Sequence, residues 1–546
     1  MKILTIIFNF LVFNNIYINH ILQEGGYFMS KKIFAMLLLS LMLILVACST
    51  NESSEGGESG GNTPTNDNKD LIIAIGSDMV GFDIHDHNNT STESIHQHMF
   101  DYLFKRDKNN ELQPMLAESY EILDDQTVEI KLKKGVKFHN GDEFTAEDVK
   151  FTLERVAQTD TLQEHANYKQ IQEVKIIDPL TVQIITKAPE PSIIHRLSRL
   201  GSGMLPKKYI EENGWDHFLE NPIGTGPYKY VEWVRDNKIV FERFDDYYQG
   251  AVEEWDTVTF RIIPENSTRV SELLTGGVDI ATNIPPADWD RVNNNDGTSL
   301  KQEVSNRTIF LNLRASEGYP TADVKVRQAI DYAIDDKTLA EIALKGAGIP
   351  VRSMVGPGNF GHEPSLYNSY NYDVDKAKQL LADAGYPDGF EMTFHSPKGR
   401  YLMDAEVAEL IVGMLSQVGI KVNLQFMEWS SFVQMRNANE NKDMYLLGLG
   451  NSMFDGAYAV DWFNAARNEG HTDYENQQVE ELLAQSKVNM DPTTREKQIQ
   501  EIQKVVAEDV PYVFLYLEKI NVGVNDRVDF TPSSDEMLYA PNMSLK

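Results

Sequence analysis

Three short polar segments of the chain carry the residue types that a small-molecule site needs. The sharpest is SPKGRYLMD, residues 396–404, where Gly399 and Arg400 stand at the predicted start of a helix. A helix start offers free amide protons and a favourable dipole to an anion. A guanidinium can also hold a carboxylate through two parallel hydrogen bonds. We therefore predict that Arg400 binds a carboxylate. The alternative is that Arg400 forms an ordinary ion pair, either at the surface or between two lobes of the protein.

The two other segments, residues 85–94 and 450–456, supply acceptors for the opposite end of such a solute. Each follows a predicted strand along the chain, and ligands in open α/β sheets bind beyond the carboxyl ends of strands. Each could equally be a turn whose side chains hydrogen-bond to their own backbone. The candidate ligands are Asn451, Ser452, Asp455 and Thr92.

Hydrophobic periodicity predicts the elements that must position these segments. In the first half, a strand at 71–75 leads to a helix near 92–104, and a helix over 146–157 begins with Thr145 and Asp148 spaced as a capping box. Alternation of apolar and polar residues indicates half-buried strands, with much antiparallel pairing. These strands include 127–132, 181–186, 228–234 and 238–243.

The rhythm changes near residue 308, where strands and helices begin to alternate around a mostly parallel sheet. The fold class is therefore α/β, with an α+β first lobe. We predict that lobe one comprises residues 69–307 and a returning segment, 519–546, and that lobe two comprises residues 308–518. Two chain crossings between two lobes make a hinge with a cleft between them.

The only cysteine, Cys48, has a different context. Residues 29–47 contain two lysines, a strongly apolar run and small residues before the cysteine, the pattern of a secretory signal. This pattern resembles the lipobox of bacterial lipoproteins, which implies that Cys48 is lipidated. Residues 48–68 then form a flexible tether, because residues 49–68 include no apolar residue. We predict that Met29 is the true start, so that residues 1–28 are an upstream extension assigned to the protein in error.

Composition excludes several function classes. The chain has 82 acidic and 50 basic residues and a net charge of −32, which argues against a nucleic-acid partner. One cysteine excludes an intrachain disulfide and a thiolate-rich metal site. The sequence contains no G-x-S-x-G elbow, Walker loop, H-E-x-x-H helix or EF-hand loop, so we predict neither an enzyme nor a cofactor.

Residues 114–156, PMLAESYEILDDQTVEIKLKKGVKFHNGDEFTAEDVKFTLERV, resemble the signature block of family 5 extracellular solute-binding proteins. These are the peptide, dipeptide, glutathione and nickel receptors of ABC importers. PIGTGPYKY, VKVRQAIDYAIDDKTLAEIALKGAGIP and YDVDKAKQLLADAGYPDGF resemble later landmarks of the family in the same order. The resemblance covers about residues 70–546. It implies a two-lobed periplasmic-binding-protein fold of type II, the Venus flytrap, with an extra subdomain in lobe one.

The resemblance also implies partners and a location. A protein of this family is expected to be a monomer without catalysis that delivers its cargo to ABC permease and ATPase subunits. Residues 396–429 are most similar to the glutathione branch, so glutathione or a short peptide is the expected cargo. The lipid anchor implies the outer face of the cell membrane, and Ser49 after the cysteine favours a Gram-positive envelope.

Individual site residues follow from the same resemblance. In dipeptide receptors of the family, an arginine between a lobe-two strand and its long helix binds the peptide carboxylate, and Arg400 matches that position. An aspartate in a Gly-Trp-Thr-Gly-Asp-type loop binds the ammonium group, whereas here Ser452 stands at the aligned position and Asp455 follows three residues later. Tyr401 and Trp429 are expected to line the pocket.

Two alternatives stay open at this stage. A nickel or metal-chelate receptor of the same fold would use histidines, and two His-x-His pairs lie in residues 85–98. However, His96 and His98 stand two apart on a predicted helix and should point to different sides. A peptide sensor or adhesion lipoprotein would need no different residues.

Overall fold

The computed structural model describes residues 69–107 and 111–546. The predictions for the upstream extension, the signal segment, Cys48 and the tether lie outside the described residues. Within the described part of the chain, no helix is both long enough and apolar enough to cross a bilayer.

The strands follow one another in this order: β1 (Asp70–Ile75), β2 (Phe104–Arg106), β3 (Leu112–Pro114), β4 (Ala117–Asp124), β5 (Thr127–Leu132), β6 (Ile171–Asp178), β7 (Thr181–Thr186), β8 (Tyr228–Val234), β9 (Lys238–Arg243), β10 (Thr257–Ile262), β11 (Ile280–Ala281), β12 (Thr298–Leu313), β13 (Gly348–Pro350), β14 (Glu391–Pro397), β15 (Lys421–Met427), β16 (Met444–Gly450), β17 (Tyr512–Asn525), β18 (Val528–Asp529) and β19 (Ser544–Leu545).

The α-helices are α1 (Thr90–His96), α2 (Ala146–Gln158), α3 (His165–Tyr168), α4 (Ile193–Arg196), α5 (Lys207–Asn213), α6 (Trp215–Glu220), α7 (Asn266–Leu274), α8 (Trp289–Asn293), α9 (Val324–Ala333), α10 (Asp336–Thr338), α11 (Val374–Asp383), α12 (Asp404–Ser416), α13 (Trp429–Asn437), α14 (Gly456–Val460), α15 (Ala465–Asn468), α16 (Gln477–Val488) and α17 (Pro492–Asp509). Single turns of other helix types lie at Pro286–Asp288, Pro320–Ala322, Leu339–Ala343, Pro364–Leu366, Asp461–Phe463 and Ala540–Asn542.

The largest sheet of the described residues has the strand order β15-β14-β16-β12-β17-β11-β1-β10-β9-β8, with β13 added to β17. Strand β14 pairs in parallel with β15 and β16, but β12 pairs antiparallel with β16 and with β17. The prediction of a mostly parallel sheet in lobe two was therefore wrong, and the sheet is mixed. The reason is that β12 and β17 enter from lobe one as continuous strands, without the helical crossover that parallel neighbours need.

Strands β12 and β17 connect the two ends of this sheet. The predicted lobe boundaries at 307/308 and 518/519 fall inside these strands and stay predictions. The ladder between them is interrupted where the register shifts between Val304 and Thr308. Beyond this interruption, Ile309 and Leu311 pack into one core of lobe two, and Phe310 packs into the core on the opposite face. Both faces of the sheet are therefore covered, as alternation along a strand requires.

A second sheet, β4-β5-β7-β6, is antiparallel and has a core of its own. Helix α2 packs against it through Val149 and Leu153. The predicted capping box at the start of α2 is confirmed, because Thr145 accepts from the helix backbone and Asp148 accepts from the Thr145 amide at 2.9 Å. The strands predicted at 127–132, 181–186, 228–234 and 238–243 match β5, β7, β8 and β9.

The helix predicted near 92–104 ends at His96, and this error affects the site. Residues 98–104 are all buried, so they cannot form one face of a surface helix. Their backbone bonds to a neighbouring segment instead, since the Gly226 amide donates to Met99 O at 2.8 Å and the Tyr228 amide donates to His98 O at 2.9 Å. Tertiary pairing thus overrides the local helical pattern and directs β2 towards the centre of the molecule.

Candidate functional site

A cavity that is partly open to solvent lies beside the interruption in the β12–β17 ladder. Its wall includes α1 and the segment through β2 from lobe one, together with Ser198, Arg199 and Leu200. Asn306 and Arg307 contribute from the interruption itself. Lobe two supplies residues of the loop after β16, and the returning chain supplies residues between 533 and 542. The cavity therefore lies between the predicted lobe one and the predicted lobe two.

The loop after β16 is held directly against lobe one. Arg199 Nε donates to Ser452 Oγ at 2.9 Å, and Arg106 donates through Nη2 to the carbonyl of Met453. The Arg106 guanidinium lies 4.7 Å from the ring centre of Phe454. These contacts cross the cavity and connect the loop after β16 with Arg106 and Arg199 on the opposite wall.

Most cations of the wall already have protein partners. Arg199 forms a buried ion pair with Glu164, and Arg307 forms a bidentate pair with Glu536 at 2.9 and 3.0 Å. Lys105 is the exception among the cations of the wall, because it forms no hydrogen bond or ion pair with any of the described residues. A half-buried ammonium on the cavity wall without a protein partner is available to an anionic group of a solute.

Glu93, on α1, is an acidic residue of the same cavity wall. Its side chain lines the cavity and the residue is only 4% exposed. Its buried Oε1 has no hydrogen-bond partner among the described residues. Burial raises the pKa of Glu93 to about 8, although Arg199 opposes the rise. The carboxyl group is therefore mostly protonated at neutral pH.

The structure brings only one of the predicted ligand residues to the cavity wall, Ser452. Arg400 is not part of the lining. Its guanidinium lies 5.0 Å from the ring centre of Tyr401 and 5.1 Å from that of Trp429, while its amide donates to Asp404 Oδ2. Arg400 thus stacks on the aromatic residues that were expected to line the pocket with it.

Asp455 has a protein partner in place of the predicted ammonium group. Arg495 donates to its two carboxylate oxygens at 2.8 and 2.7 Å, and both residues are buried. The neighbouring Asn451 donates to the Asp455 carbonyl at 3.1 Å, and its own carbonyl accepts from Asn306. These two residues fix the shape of the loop that carries Ser452.

The three remaining predicted residues also contact other parts of the protein. Thr92 Oγ1 accepts from the Val80 amide at 3.1 Å, and Tyr401 Oη accepts from the Gly448 amide at 2.9 Å. Trp429 stacks on Phe432 with ring centres 5.6 Å apart. None of the three is part of the cavity lining.

Sequence reasoning missed Glu93, Lys105 and Arg199. Glu93 lies within residues 85–94, a segment chosen as a candidate because it follows a predicted strand. Nothing in the sequence distinguished Glu93 from its neighbours in that segment. Lys105 was missed because the helix was extended over residues 97–104. Arg199 does not follow a predicted strand, so its place in the sequence did not indicate that it belongs to a site.

The histidines near α1 form a hydrogen-bonded chain. His87 Nε2 lies 3.2 Å from His96 Nδ1, and His96 Nε2 lies 2.8 Å from Gly81 O. The Asn89 amide donates to His87 Nδ1, which assigns the proton of His87 to Nε2. Both ring nitrogens of each histidine are thereby used, although Glu93 lies close enough to make a three-residue cluster. As predicted, His98 points elsewhere, to the Ala540 amide.

Comparisons with known proteins agree with this geometry. The oligopeptide-binding protein AppA from Bacillus subtilis, solved with a nonapeptide, superposes with a TM-score of 0.77 at 25% identity, covering 87% of this chain and 99% of that one. The dipeptide-binding protein from Pseudoalteromonas sp. SM9913, solved with Met-Leu, gives 0.78 at 25% identity over 87% and 100%. The fold is thus that of the two-lobed periplasmic binding proteins.

Sequence comparison defines the family. Residues 111–471 match the description "Bacterial extracellular solute-binding proteins, family 5 Middle". The glutathione-binding protein GsiB of Escherichia coli K12 is 29% identical over 463 residues, which are 83% of this chain and 90% of the relative. The chain belongs to family 5 of the bacterial extracellular solute-binding proteins.

The environment of Glu93 predicts a pH-dependent stability difference. The pKa of Glu93 is raised from 4.5 to about 8, so its stabilising contribution is fully present below pH 4.5 and is lost as the pH rises through 8. We expect Glu93→Gln to become more stable relative to the parent between pH 5 and 9, by about 2–4 kcal/mol.

Denaturant unfolding across this pH range measures the difference. Glu409→Gln is the matched control, because Glu409 is exposed. A Glu93→Gln curve that runs parallel to the parent curve at all pH values would show that Glu93 is ionised in the folded protein.

Proposed function

We propose that this chain is the extracytoplasmic receptor of an ABC importer and captures glutathione or a short peptide. The observation that carries the proposal is the interlobe cavity, whose wall combines two groups without a hydrogen-bond partner among the described residues, the ammonium of Lys105 and the Oε1 atom of Glu93. A small amino-acid-like solute carries both complementary charges. Relatives in this family are solute-binding proteins, and we propose that this protein likewise binds its solute without altering it.

The charge of the wall favours an anionic end on the solute. Lys105 and Arg106 stand next to each other on β2, and burial shifts the pKa of the wall acids Glu93 and Asp535 upwards. Glutathione has two carboxylates and one ammonium group, and a short peptide has at least one of each. We propose that a carboxylate is bound by Lys105, and that Ser452 and Tyr102 contribute hydrogen bonds.

Capture is then a closure of the two lobes over the solute. The interruption in the β12–β17 ladder is the place where the backbone can bend with the least loss of pairing. On closure, Arg199 meets Ser452 across the cleft and water is excluded, which strengthens each ion pair to the solute. The closed receptor would dock on the permease, whose opening of the lobes releases the cargo.

A carboxylate at Lys105 predicts the effect of removing that side chain. Hydrogen bonds to charged groups contribute about 1.5–3 kcal/mol, so Lys105→Ala should raise the Kd for the bound solute about tenfold or more. Titration calorimetry with reduced glutathione and with di- and tripeptides measures this. No detectable binding of any of these solutes by the parent would contradict the proposed function.

The same titrations distinguish Lys105 from Arg400. Arg400→Ala should leave the Kd close to the parent value, because Arg400 lies outside the cavity lining. Lys378→Ala is the matched control, since Lys378 is exposed. If Arg400→Ala weakens binding tenfold and Lys105→Ala does not, the carboxylate binds where the sequence placed it, at Arg400.

The histidine chain predicts the response to nickel. A metal bound by His87 and His96 would have to displace the proton between Nε2 and Nδ1 and the bond from Asn89. We therefore expect equimolar Ni²⁺ to leave the thermal midpoint unchanged. A rise in the midpoint that is lost in His87→Ala but retained in His217→Ala, a change at an exposed histidine, would favour the metal-receptor alternative.

We propose that the receptor is a lipoprotein attached through Cys48 to the outer face of the cell membrane, in a Gram-positive envelope. The proposal is supported by the signal-like residues 29–47 and by the polar tether that follows. Cys48→Ala should move the protein from the membrane fraction to the medium, while Ser49→Ala should not. Retention of Cys48→Ala in the membrane fraction would contradict lipidation.

A further inference from the structure

We propose that Glu93 is the residue that receives the ammonium group of the solute, so that lobe one provides the anionic contact. The inference rests on the proposed function, because it assigns a role within the same cavity. It also restricts the cargo to solutes with a free amino group.

Glu93 is the acid of the wall whose protein contacts are incomplete. Its buried Oε1 has no partner among the described residues. Asp535, by comparison, accepts at Oδ1 from Ser533 and from the Met537 amide at 3.0 Å, and neither of its oxygens is buried without a partner. A carboxyl oxygen left without a donor costs free energy comparable to a lost hydrogen bond. Because Glu93 lines the cavity, we infer that the missing donor comes from the contents of the cavity.

The nearby protein cation does not fill this role. Arg199 interacts with Glu93 through space, but its Nη1 bonds to Glu164 and its Nε bonds to Ser452. The second acid, Glu164, adds negative charge next to Glu93. A cation brought by a solute would thus meet two carboxylates and one guanidinium that is already paired.

The histidines that face Glu93 supply no positive charge. Burial lowers the pKa of His96 to about 4 and that of His87 well below its usual value, so both rings are neutral at pH 7. Their hydrogen bonds connect them to each other and to the backbone. Lobe two has no free acid for the ammonium group in its Ser452 loop, because Asp455 is paired with Arg495.

An ammonium group fits this position better than a neutral donor. It carries three N–H donors and a full charge, which compensates the burial of an ionised carboxylate. Glu93 is protonated in the ligand-free cavity and ionised beside the ammonium group. The carboxylic proton leaves to solvent on binding, so that Glu93–COOH and R–NH₃⁺ give the pair –COO⁻···⁺H₃N–R and one H⁺.

This balance makes proton release the distinguishing signal. The other role open to a protonated Glu93 is to donate its proton to a carboxylate or carbonyl oxygen of the solute. In that arrangement Glu93 stays protonated and no proton leaves. The sign and size of the proton exchange therefore separate an ammonium partner from an oxygen partner.

The experiment is titration calorimetry at pH 7 in two buffers of different ionisation enthalpy. The probes are reduced glutathione and trialanine, each also with its amino group acetylated. We expect the parent to release close to one proton per bound probe, and its Kd to fall about tenfold per pH unit between pH 6 and 7. Acetylated probes should bind at least about tenfold more weakly.

Glu93→Gln is the test variant and keeps the shape of the side chain. It should bind the unmodified probes with a Kd about tenfold higher at pH 8 and without proton release. Glu409→Gln, on the exposed face of α12, should behave as the parent does. An unfolded Glu93→Gln protein would leave the parent and the acetylated probes to decide the question.

Two outcomes overturn the inference while the proposed function stands. One is tight binding of an unmodified probe by the parent without proton release. The other is an acetylated probe that binds as well as its unmodified form. If the parent binds no probe at all, the proposed function fails, and the assignment of Glu93 fails with it.

Discussion

The buried ion pair between Arg199 and Glu164 is the interaction on which the site depends. Both side chains are almost fully withdrawn from solvent, and removing one partner of such a pair leaves an uncompensated buried charge. Arg199 also reaches Ser452 in lobe two, so the pair holds a cation at the seam between the lobes. Because Arg199 is committed in this way, the Oε1 atom of Glu93 beside it has no donor within the described part of the chain, and we propose that a charged solute supplies one.

The position of the cavity follows from the same boundary between the lobes. Strands β12 and β17 pair along most of their length, and the longer of the two irregularities in their ladder leaves Asn306 and Arg307 on the wall of the cavity. Arg307 is then fixed by Glu536 on the returning chain. The bending point and the binding wall therefore share residues, and a solute that contacts this wall acts directly on the part of the backbone that changes during closure.

Local sequence was sufficient for much of the fold and for little of the site. Alternation predicted β5, β7, β8 and β9 to the residue, because each has one buried face and its register is set by that face. It failed at residues 97–104, where backbone bonds to residues 226 and 228 decide the conformation. No local pattern contains such a contact, since the partners are more than a hundred positions away.

The charged residues of the candidate site show the same limit of prediction from local sequence. The sequence placed Asp455 and Arg400 in suitable loops, but it could not show that Arg495 lies against the first or that Tyr401 and Trp429 stack on the second. A buried charge needs compensation, and Arg495 supplies it for Asp455, whereas the Oε1 atom of Glu93 and the ammonium of Lys105 have no hydrogen-bond partner among the described residues. Residue type and position were thus similar for several acids and bases. What separates a structural ion pair from a ligand contact is whether the folded chain has already provided the opposite charge, and only three-dimensional structure contains that information.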